Sequence, residues 1–402
     1  MLANFFNNKE FRDSYDILFI YRWTPQYENG FKKRVPNQIE NIPVRFYDQN
    51  DLNILLDSIP LSIVRKPLKF FVSTLIISDF IRYLLLLLHG ITLFRIVWGK
   101  KHTILHVNNG GYPGAQSTIS MVFAARLCGI TRIVYVVNNI AGGYHSLNRR
   151  FDYAFDRIVI RWVTVFVTGS LYAGNALKNN LKVPSYKIQC IPNGIAPRKV
   201  TETREQVIQR LRLPYNRLIL SVIANLEERK GHIFLLKGLK QLKDMYPNIS
   251  MPVCVIEGKG PTEEILKTFV DKNNLKTDVL FIAHEEQIFN LISASDCIIL
   301  PSVKDEDFPN VILESMSLGK AIIASNFSGI PEQIEHMKSG FLVKPGDVSE
   351  LAFAIKFMLD HPEMRNLFGE NAKIRFEELF KDKIAINHYT EIYSKLLEEI
   401  PS

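Results

Sequence analysis

Cysteine is scarce in this chain of 402 residues. The four present, Cys128, Cys190, Cys254 and Cys297, lack metal-ligand spacing, and each sits in or beside an apolar run. Free cysteines so placed behave as small hydrophobes, which excludes a disulfide-stapled or zinc-organised fold and fits a reducing compartment. Also lacking is an uninterrupted apolar stretch of membrane-spanning length. The most apolar segment, residues 68–98, carries Leu84, Leu85, Leu86, Leu87 and Leu88 in a row but is broken by Asp79, Arg82, His89 and Arg95. Charges at those intervals are costly at a bilayer centre, so a spanning helix is not expected. Two readings of this segment stay open. It forms one or two buried helices, or a helix lying in the membrane interface with Arg82, Arg95, Lys100 and Lys101 near headgroups. Residues 1–15 are polar and Asn-rich, without a charged start followed by an apolar run, so no secretory signal is expected and the location should be cytoplasmic. Lys and Arg outnumber Asp and Glu by 49 to 41, a formal net charge of +8. Those cations are scattered, without the basic stripe or interleaved aromatics of a nucleic-acid groove, which excludes nucleic acid as a partner. The excess suits phosphate-bearing substrates or an anionic membrane surface.

What is present is a regular alternation. Short β-branched runs alternate with longer helical patterns, the signature of parallel sheets with right-handed crossovers. Strands are predicted at 16–20, 103–107, 132–137, 164–168 and 187–191, then at 218–223, 252–256, 279–282, 297–300, 321–324 and 341–343. The length favours two domains. Between the two sets of strands lies Ile191-Pro192-Asn193-Gly194-Ile195-Ala196-Pro197, whose prolines and glycine cannot continue a helix or a central strand. Beyond about residue 350 the pattern is helical. The expected organisation is an α/β chain of two doubly wound, Rossmann-like domains, 1–195 and 196–375, with a terminal helix at 376–402 returning to the first. Open parallel sheets bind ligands at the carboxyl ends of their strands, so the active site is expected in a cleft there.

The chemistry concentrates in Pro301-Ser302-Val303-Lys304-Asp305-Glu306-Asp307-Phe308-Pro309-Asn310-Val311-Ile312-Leu313-Glu314, which follows an apolar strand and enters a helix. Pro309 suits the first helical position, where a missing N–H costs nothing, leaving the N–H groups of Asn310 and Val311 for a diphosphate. Glu314 lies roughly 7–8 Å along that helix and Glu306 in the loop before it. Two carboxylates flanking a phosphate site make sense if each faces hydroxyl groups at opposite ends of a nucleotide sugar. The plain alternative is a solvated acidic loop and a surface glutamate.

This stretch resembles the retaining glycosyltransferases of the GT-B fold, the group 1 or family 4 type, whose members share a glutamate, seven residues and a second glutamate. Glu306 and Glu314 match that spacing. Ser315-Met316-Ser317-Leu318-Gly319-Lys320 after it, Lys230-Gly231, Glu257-Gly258-Lys259-Gly260-Pro261 and Ile191-Pro192-Asn193-Gly194 extend the resemblance over most of the chain. The resemblance implies that Glu306 contacts the donor sugar, that Glu314 contacts the nucleotide ribose, and that Lys230 neutralises the departing diphosphate. The donor site it implies comprises Asn225, Lys230, Gly258, Glu306, Phe308, Pro309, Asn310, Val311 and Glu314, with Lys230 and Glu306 catalytic.

Three departures stand out. The family's arginine five residues before the lysine is Asn225 here, so the diphosphate is held more weakly or another cation, such as Arg229, is recruited. The Gly-Gly loop many relatives carry after the first strand is replaced by Tyr21-Arg22-Trp23-Thr24-Pro25. A glycine-rich element instead appears at Asn108-Asn109-Gly110-Gly111-Tyr112-Pro113-Gly114, either a tight turn or a close approach of backbone to ligand. Where relatives place a histidine there is Val137-Asn138-Asn139. Gly110, Gly111, His106, Asn138 and His145 are therefore the acceptor-side candidates.

The Asp305-Glu306-Asp307 triplet could instead be read as a metal pair, but no neighbouring ligand completes it, and neither metal nor cofactor is expected. The reading is a retaining hexosyltransferase moving a sugar from a UDP- or GDP-sugar to a hydroxyl of a saccharide or lipid-linked saccharide, in cell-surface polysaccharide or lipopolysaccharide synthesis. Peripheral membrane contact would run through residues 68–98. The alternatives are a sugar-nucleotide epimerase or phosphorylase on the same fold, or a non-catalytic partner subunit.

Overall fold

A computed structural model of the chain describes residues 2–35, 39–46 and 75–398. These fall into two compact units. The first takes the described residues up to Thr168, Gly174–Cys190 and the chain from Ile386; the second takes Gly169–Ala173 and Ile191–Ala385.

In the first unit β1 (Leu18–Arg22) pairs in parallel with β2 (Glu40–Val44). The sequence reading missed β2 because Glu40 and Pro43 interrupt any apolar pattern; proline is tolerated in a two-stranded edge, where one face of the backbone needs no ladder bond. A second parallel sheet has the order β3 (Ile104–Asn109), β4 (Arg132–Val137), β5 (Val165–Thr168), β6 (Ile188–Cys190). β4 is buried from Ile133 to Val137, as a parallel strand covered on both faces must be, which is why its sequence is a continuous apolar run. The final helix, Asp382–Glu398, sets Tyr389 and Tyr393 in an aromatic cluster with Phe5, Phe11 and Tyr15.

The apolar segment is one helix, Leu75–Val97; residues 68–74 of the predicted stretch lie outside the described residues. It packs against the helix Gln116–Leu127, burying Leu93 and Val97, while Leu84, Leu87, Leu88, Ile91 and the following Trp98 stay exposed. Two of the four expected headgroup cations are engaged within the protein. Arg82 pairs with Asp152 at 2.8 Å and Lys100 with Glu40 at 3.0 Å, leaving Arg95 and Lys101 exposed. No helix among the described residues is long and apolar enough to cross a membrane.

The second unit holds six parallel strands, β7 (Ile219–Ile223), β8 (Val253–Glu257), β9 (Val279–Ile282), β10 (Cys297–Leu300), β11 (Ala321–Ser325) and β12 (Phe341–Val343), in the order β12-β11-β10-β7-β8-β9. β10 and β11 are buried throughout. The chain winds outward from β7 to β9 and then returns to the other side of β7, so the order reverses between β7 and β10. Loops leaving the carboxyl ends of two strands diverge at such a switch point, and a crevice opens between them.

The unit boundaries differ from the sequence reading of 195/196 and 375/376. Residues 191–195 stay with the second unit because Ile195 exchanges backbone bonds with Phe380 and Asp382. Phe376 and Phe380 belong to the same core as Leu300 and Phe308, so the chain leaves the second unit only at Ile386. Residues 169–173 join the second unit through Glu332, which accepts from the N–H groups of Leu171 and Tyr172 at 2.8 and 2.9 Å, and through a Ser170–Asp307 hydrogen bond.

Candidate active site

Three loops of the second unit, following β7, β8 and β10, are knitted together by backbone contacts that demand glycine. Gly231 has φ +71°, and a β-carbon there would lie 1.9 Å from the Pro301 carbonyl oxygen. Gly258 has φ +142°, and its β-carbon would lie 2.1 Å from the Ala224 carbonyl. Both positions therefore exclude side chains. The Val303 N–H donates to the Arg229 carbonyl at 2.8 Å, fixing the loop after β10 against the loop after β7. Gly258 thus packs the loop after β8 against the loop that carries Asn225.

This knitting brings Lys230 onto Glu306. The Lys230 ammonium donates to Glu306 Oε2, which also accepts from the buried Ser302 hydroxyl at 3.1 Å. Both charged side chains are 12% exposed, so the pair is screened by protein more than by water. Ser302 was not among the predicted site residues; nothing in a Pro-Ser dipeptide signals a carboxylate-orienting hydroxyl.

Pro309 is buried at the N-cap, with φ −65°, and the helix begins at Asn310. The sequence reading placed Pro309 one position later, inside the helix. The consequence for ligand binding is unchanged, because the first N–H groups of the helix Asn310–Ser317 have no intrahelical partner. Asn310 is exposed and Val311 partly so. Glu314, half-buried, sits on this helix one turn further in.

The Phe308 side chain does not face the site. It is 6% exposed and packs edge-on against Phe380 at 5.7 Å between centroids. Burial of the ring anchors the loop. Asp307 is also turned inward, hydrogen-bonded to Ser170 and 3% exposed, and burial raises its carboxyl to about 6. Asp305 is exposed, with φ +53°. The two aspartates of the triplet therefore occupy opposite environments, and among the described residues no group of His, Cys, Asp or Glu is arranged to hold a metal ion.

The acceptor-side candidates all lie in the first unit. Gly110, Gly111 and Asn138 follow the carboxyl ends of β3 and β4, joined by Asn138, whose N–H and side-chain amide both donate to the Asn109 carbonyl at 3.0 and 2.7 Å. Neither Gly110 nor Gly111 needs to be glycine; Gly114 does, at φ +57° with Asn109 Oδ1 2.4 Å from a β-carbon. The buried Asn109 organises this turn, accepting from Ala115 N–H and donating to Pro113 and Tyr135. His145 is exposed in the loop after β4. His106 is a correction. It lies mid-strand in β3, bonded to Tyr393 at 2.5 Å and ringed by Phe5 and Tyr389, and burial lowers it to about 4. It is a half-buried histidine packed among aromatic rings, where burial favours the neutral form.

A charged network that no local motif announces braces these loops. Asp156, fully buried, accepts from Tyr112, Tyr144 and Arg149 at 3.0, 2.9 and 2.8 Å, and Asp152 from Arg149, Arg82 and Tyr83. At the amino ends of the strands of the same sheet a cavity of about 770 Å³ is bordered by Arg126, Arg161, Lys187 and Trp162. There Lys187 donates to the carbonyls of Ile160, Arg161 and Val163, satisfying the orphan acceptors at a helix end.

Comparison with known proteins places part of the chain in a family. Residues 203–375 match the family model described as glycosyl transferases group 1. That region belongs to the group 1 glycosyltransferases. The chain is 25% identical over 320 residues to UDP-Gal:alpha-D-GlcNAc-diphosphoundecaprenol alpha-1,3-galactosyltransferase of Escherichia coli, covering 75% of this chain and 78% of that one. It is 31% identical over 224 residues to the amylovoran biosynthesis glycosyltransferase AmsK of Erwinia amylovora, covering 53% and 52%. For several other curated relatives the chain likewise spans about half of their length. Its fold matches a glycosyltransferase from Rickettsia africae with a TM-score of 0.77 at 18% identity, over 99% of this chain and 95% of that one. HepE of Anabaena, solved with UDP, matches at 0.72 and 17%, over 98% and 95%. The chain has the GT-B fold, and its residues 203–375 form a group 1 glycosyltransferase region.

Proposed function

We propose that this glycosyltransferase takes its sugar from a UDP-sugar and transfers it to a saccharide hydroxyl on a lipid-linked acceptor, in the assembly of a surface polysaccharide. The observation that carries the donor half is the Lys230–Glu306–Ser302 cluster at the switch point of the second sheet, beside the start of the helix bearing Glu314. A nucleoside diphosphate entering that crevice offers phosphate oxygens to Lys230 and the helix N–H groups, and sugar and ribose hydroxyls to Glu306 and Glu314. The choice of uracil is supported by the name of the E. coli relative and by the HepE complexes with UDP and UDP-glucose.

The reaction we infer is a front-face displacement with retention. The acceptor oxygen bonds to the anomeric carbon on the side from which the diphosphate oxygen departs, and the acceptor proton passes to that diphosphate. Lys230 stabilises the charge developing on the leaving group, so no metal is required in this reading. Membrane contact would come from the exposed face of the helix Leu75–Val97, where Leu84, Leu87, Leu88 and Ile91 are followed by Trp98, with Arg95 and Lys101 exposed nearby. Leu84, Leu88, Ile91, Arg95 and Trp98 recur at helical spacing on one side, the pattern of an interfacial helix.

The test is UDP release from UDP-sugars in the presence of polyprenyl-diphosphate-linked saccharides, with EDTA, and with product anomer assigned by NMR. Turnover that persists in EDTA and gives a product of the donor's anomeric configuration supports the reading. Inversion, or activity restored only by a divalent cation, overturns that part of it. Loss of liposome co-sedimentation in a Leu87→Glu, Leu88→Glu variant checks the membrane face.

A further inference from the structure

The loop after β7 contains an arginine whose setting is more elaborate than a surface residue requires. Arg229 lies in the short turn Glu228–Lys230. Its Nε donates to Glu227 Oε2 at 2.5 Å and its Nη1 to the Asp305 carbonyl at 3.0 Å, so its own loop and the loop after β10 hold the guanidinium. The same Nη1 is 4.0 Å from Glu306 Oε2, the oxygen on which Lys230 also converges. Two cations therefore flank a single carboxylate oxygen at the mouth of the donor crevice. Arg229 is 28% exposed against 12% for Lys230, so it is the more accessible of the two cations.

Asn225 completes the arrangement. It is exposed, and its amide reaches Glu227 Oε1 at 3.4 Å while Arg229 takes Oε2. Glu227 thus spans a neutral position and a charged one. A diphosphate carries more negative charge than one ammonium can offset, and a planar guanidinium can bind two of its oxygens at once. An exposed asparagine supplies a hydrogen bond but no charge.

We propose that Arg229, positioned by Glu227 and the Asp305 carbonyl, is the second cation of the donor-diphosphate site and supplies the charge that Asn225 does not. This rests on the donor-site reading above. Glu227 orients the guanidinium at the cost of part of its field, and Asp305, in its left-handed conformation, presents the carbonyl that fixes the other side. The affinity contributed by Arg229 depends on the diphosphate and is small for a nucleoside monophosphate.

The experiment is calorimetric titration of UDP and UMP into the wild type and into Arg229→Ala, Arg229→Lys, Lys230→Ala and Arg229→Ala/Asn225→Arg, each with its ligand-free melting temperature recorded. The proposal expects Arg229→Ala to weaken UDP roughly tenfold to a hundredfold, with UMP changed much less. Arg229→Lys, which keeps charge without the fork, should fall between, and arginine introduced at 225 should recover most of the UDP affinity. Wild-type UDP affinity in Arg229→Ala, equal losses for UDP and UMP, or no recovery by arginine at 225 each overturns it. If Arg229→Ala binds as the wild type does while Lys230→Ala fails to bind, the proposal falls and the donor site stands. If Lys230→Ala also binds normally, the donor site itself falls.

Discussion

Replacing Asp307 by asparagine should stabilise the protein above neutrality and do almost nothing in acid. Asp307 is 3% exposed, and its carboxyl is raised from 3.8 to about 6, chiefly by burial, with Glu332 and Glu306 adding repulsion and the Ser170 hydroxyl opposing them. The folded state therefore holds its proton more tightly than the unfolded chain does. The stability this provides is present below pH 3.8 and is lost as the pH rises from there through about 6. A shift of this size corresponds to about 3 kcal/mol. Asparagine keeps an acceptor for Ser170 without the ionisable charge, so Asp307→Asn and wild type should have matching stability below pH 3.8. They should diverge up to pH 7 and stay about 3 kcal/mol apart above it, the variant being the more stable. For a unit of this size that is roughly 6–12 °C in melting temperature. The assay is thermal unfolding of both proteins at half-unit steps from pH 3.5 to 8. A melting difference that is the same at every pH, or a variant less stable at pH 8, refutes the reasoning.

Other outcomes follow from the same geometry. Lys230→Ala should lower kcat/KM by about 10² to 10³ while the variant remains folded by its ligand-free melting curve; a full-rate variant in the transferase assay removes Lys230 from the chemistry. Gly231→Ala should lose more than about 1 kcal/mol from its left-handed backbone alone, with overlap against the Pro301 carbonyl added, so its unfolding midpoint in urea should drop clearly and not stay within error. His232, 2% exposed, is lowered to about 4 by burial and then by Lys230. The unfolded chain takes up this proton first as pH falls below 6.5, so the contribution of neutral His232, about 3 kcal/mol, is lost between 6.5 and 4. His232→Leu should accordingly flatten the acid limb of the stability profile, and an unchanged limb would count against the assignment.

The second unit was legible because most of its strands are buried on both faces, the edge strand β9 excepted. Val279–Ile282, Cys297–Leu300 and Phe341–Val343 occur where β-branched and apolar runs end, and the loop chemistry falls between them. Gly231 and Gly258 could be flagged as glycines, but only the structure shows what excludes a side chain there. Side-chain direction was not readable: Phe308 and Asp307 sit in the motif yet point into the core, while Ser302, an ordinary residue in sequence, reaches Glu306. The first unit was harder for a different reason. Its determinants are contacts between distant segments, such as Arg82 with Asp152 and His106 with Tyr393, and separations of 70 and 287 residues leave no local pattern. Arg82 thus passed for a headgroup ligand and His106 for an acceptor residue.

The most direct test of the account is thermal unfolding of wild type and Lys230→Ala with and without UDP, beside GDP as the contrasting base. With Lys230, Glu306 and Glu314 holding the donor, UDP at a hundred times its dissociation constant should add about 2.7 kcal/mol of stability to the wild type, with little or none in the variant. An undisturbed melting curve with either nucleotide in a well-folded wild type, or an equal rise in Lys230→Ala, would contradict the donor site.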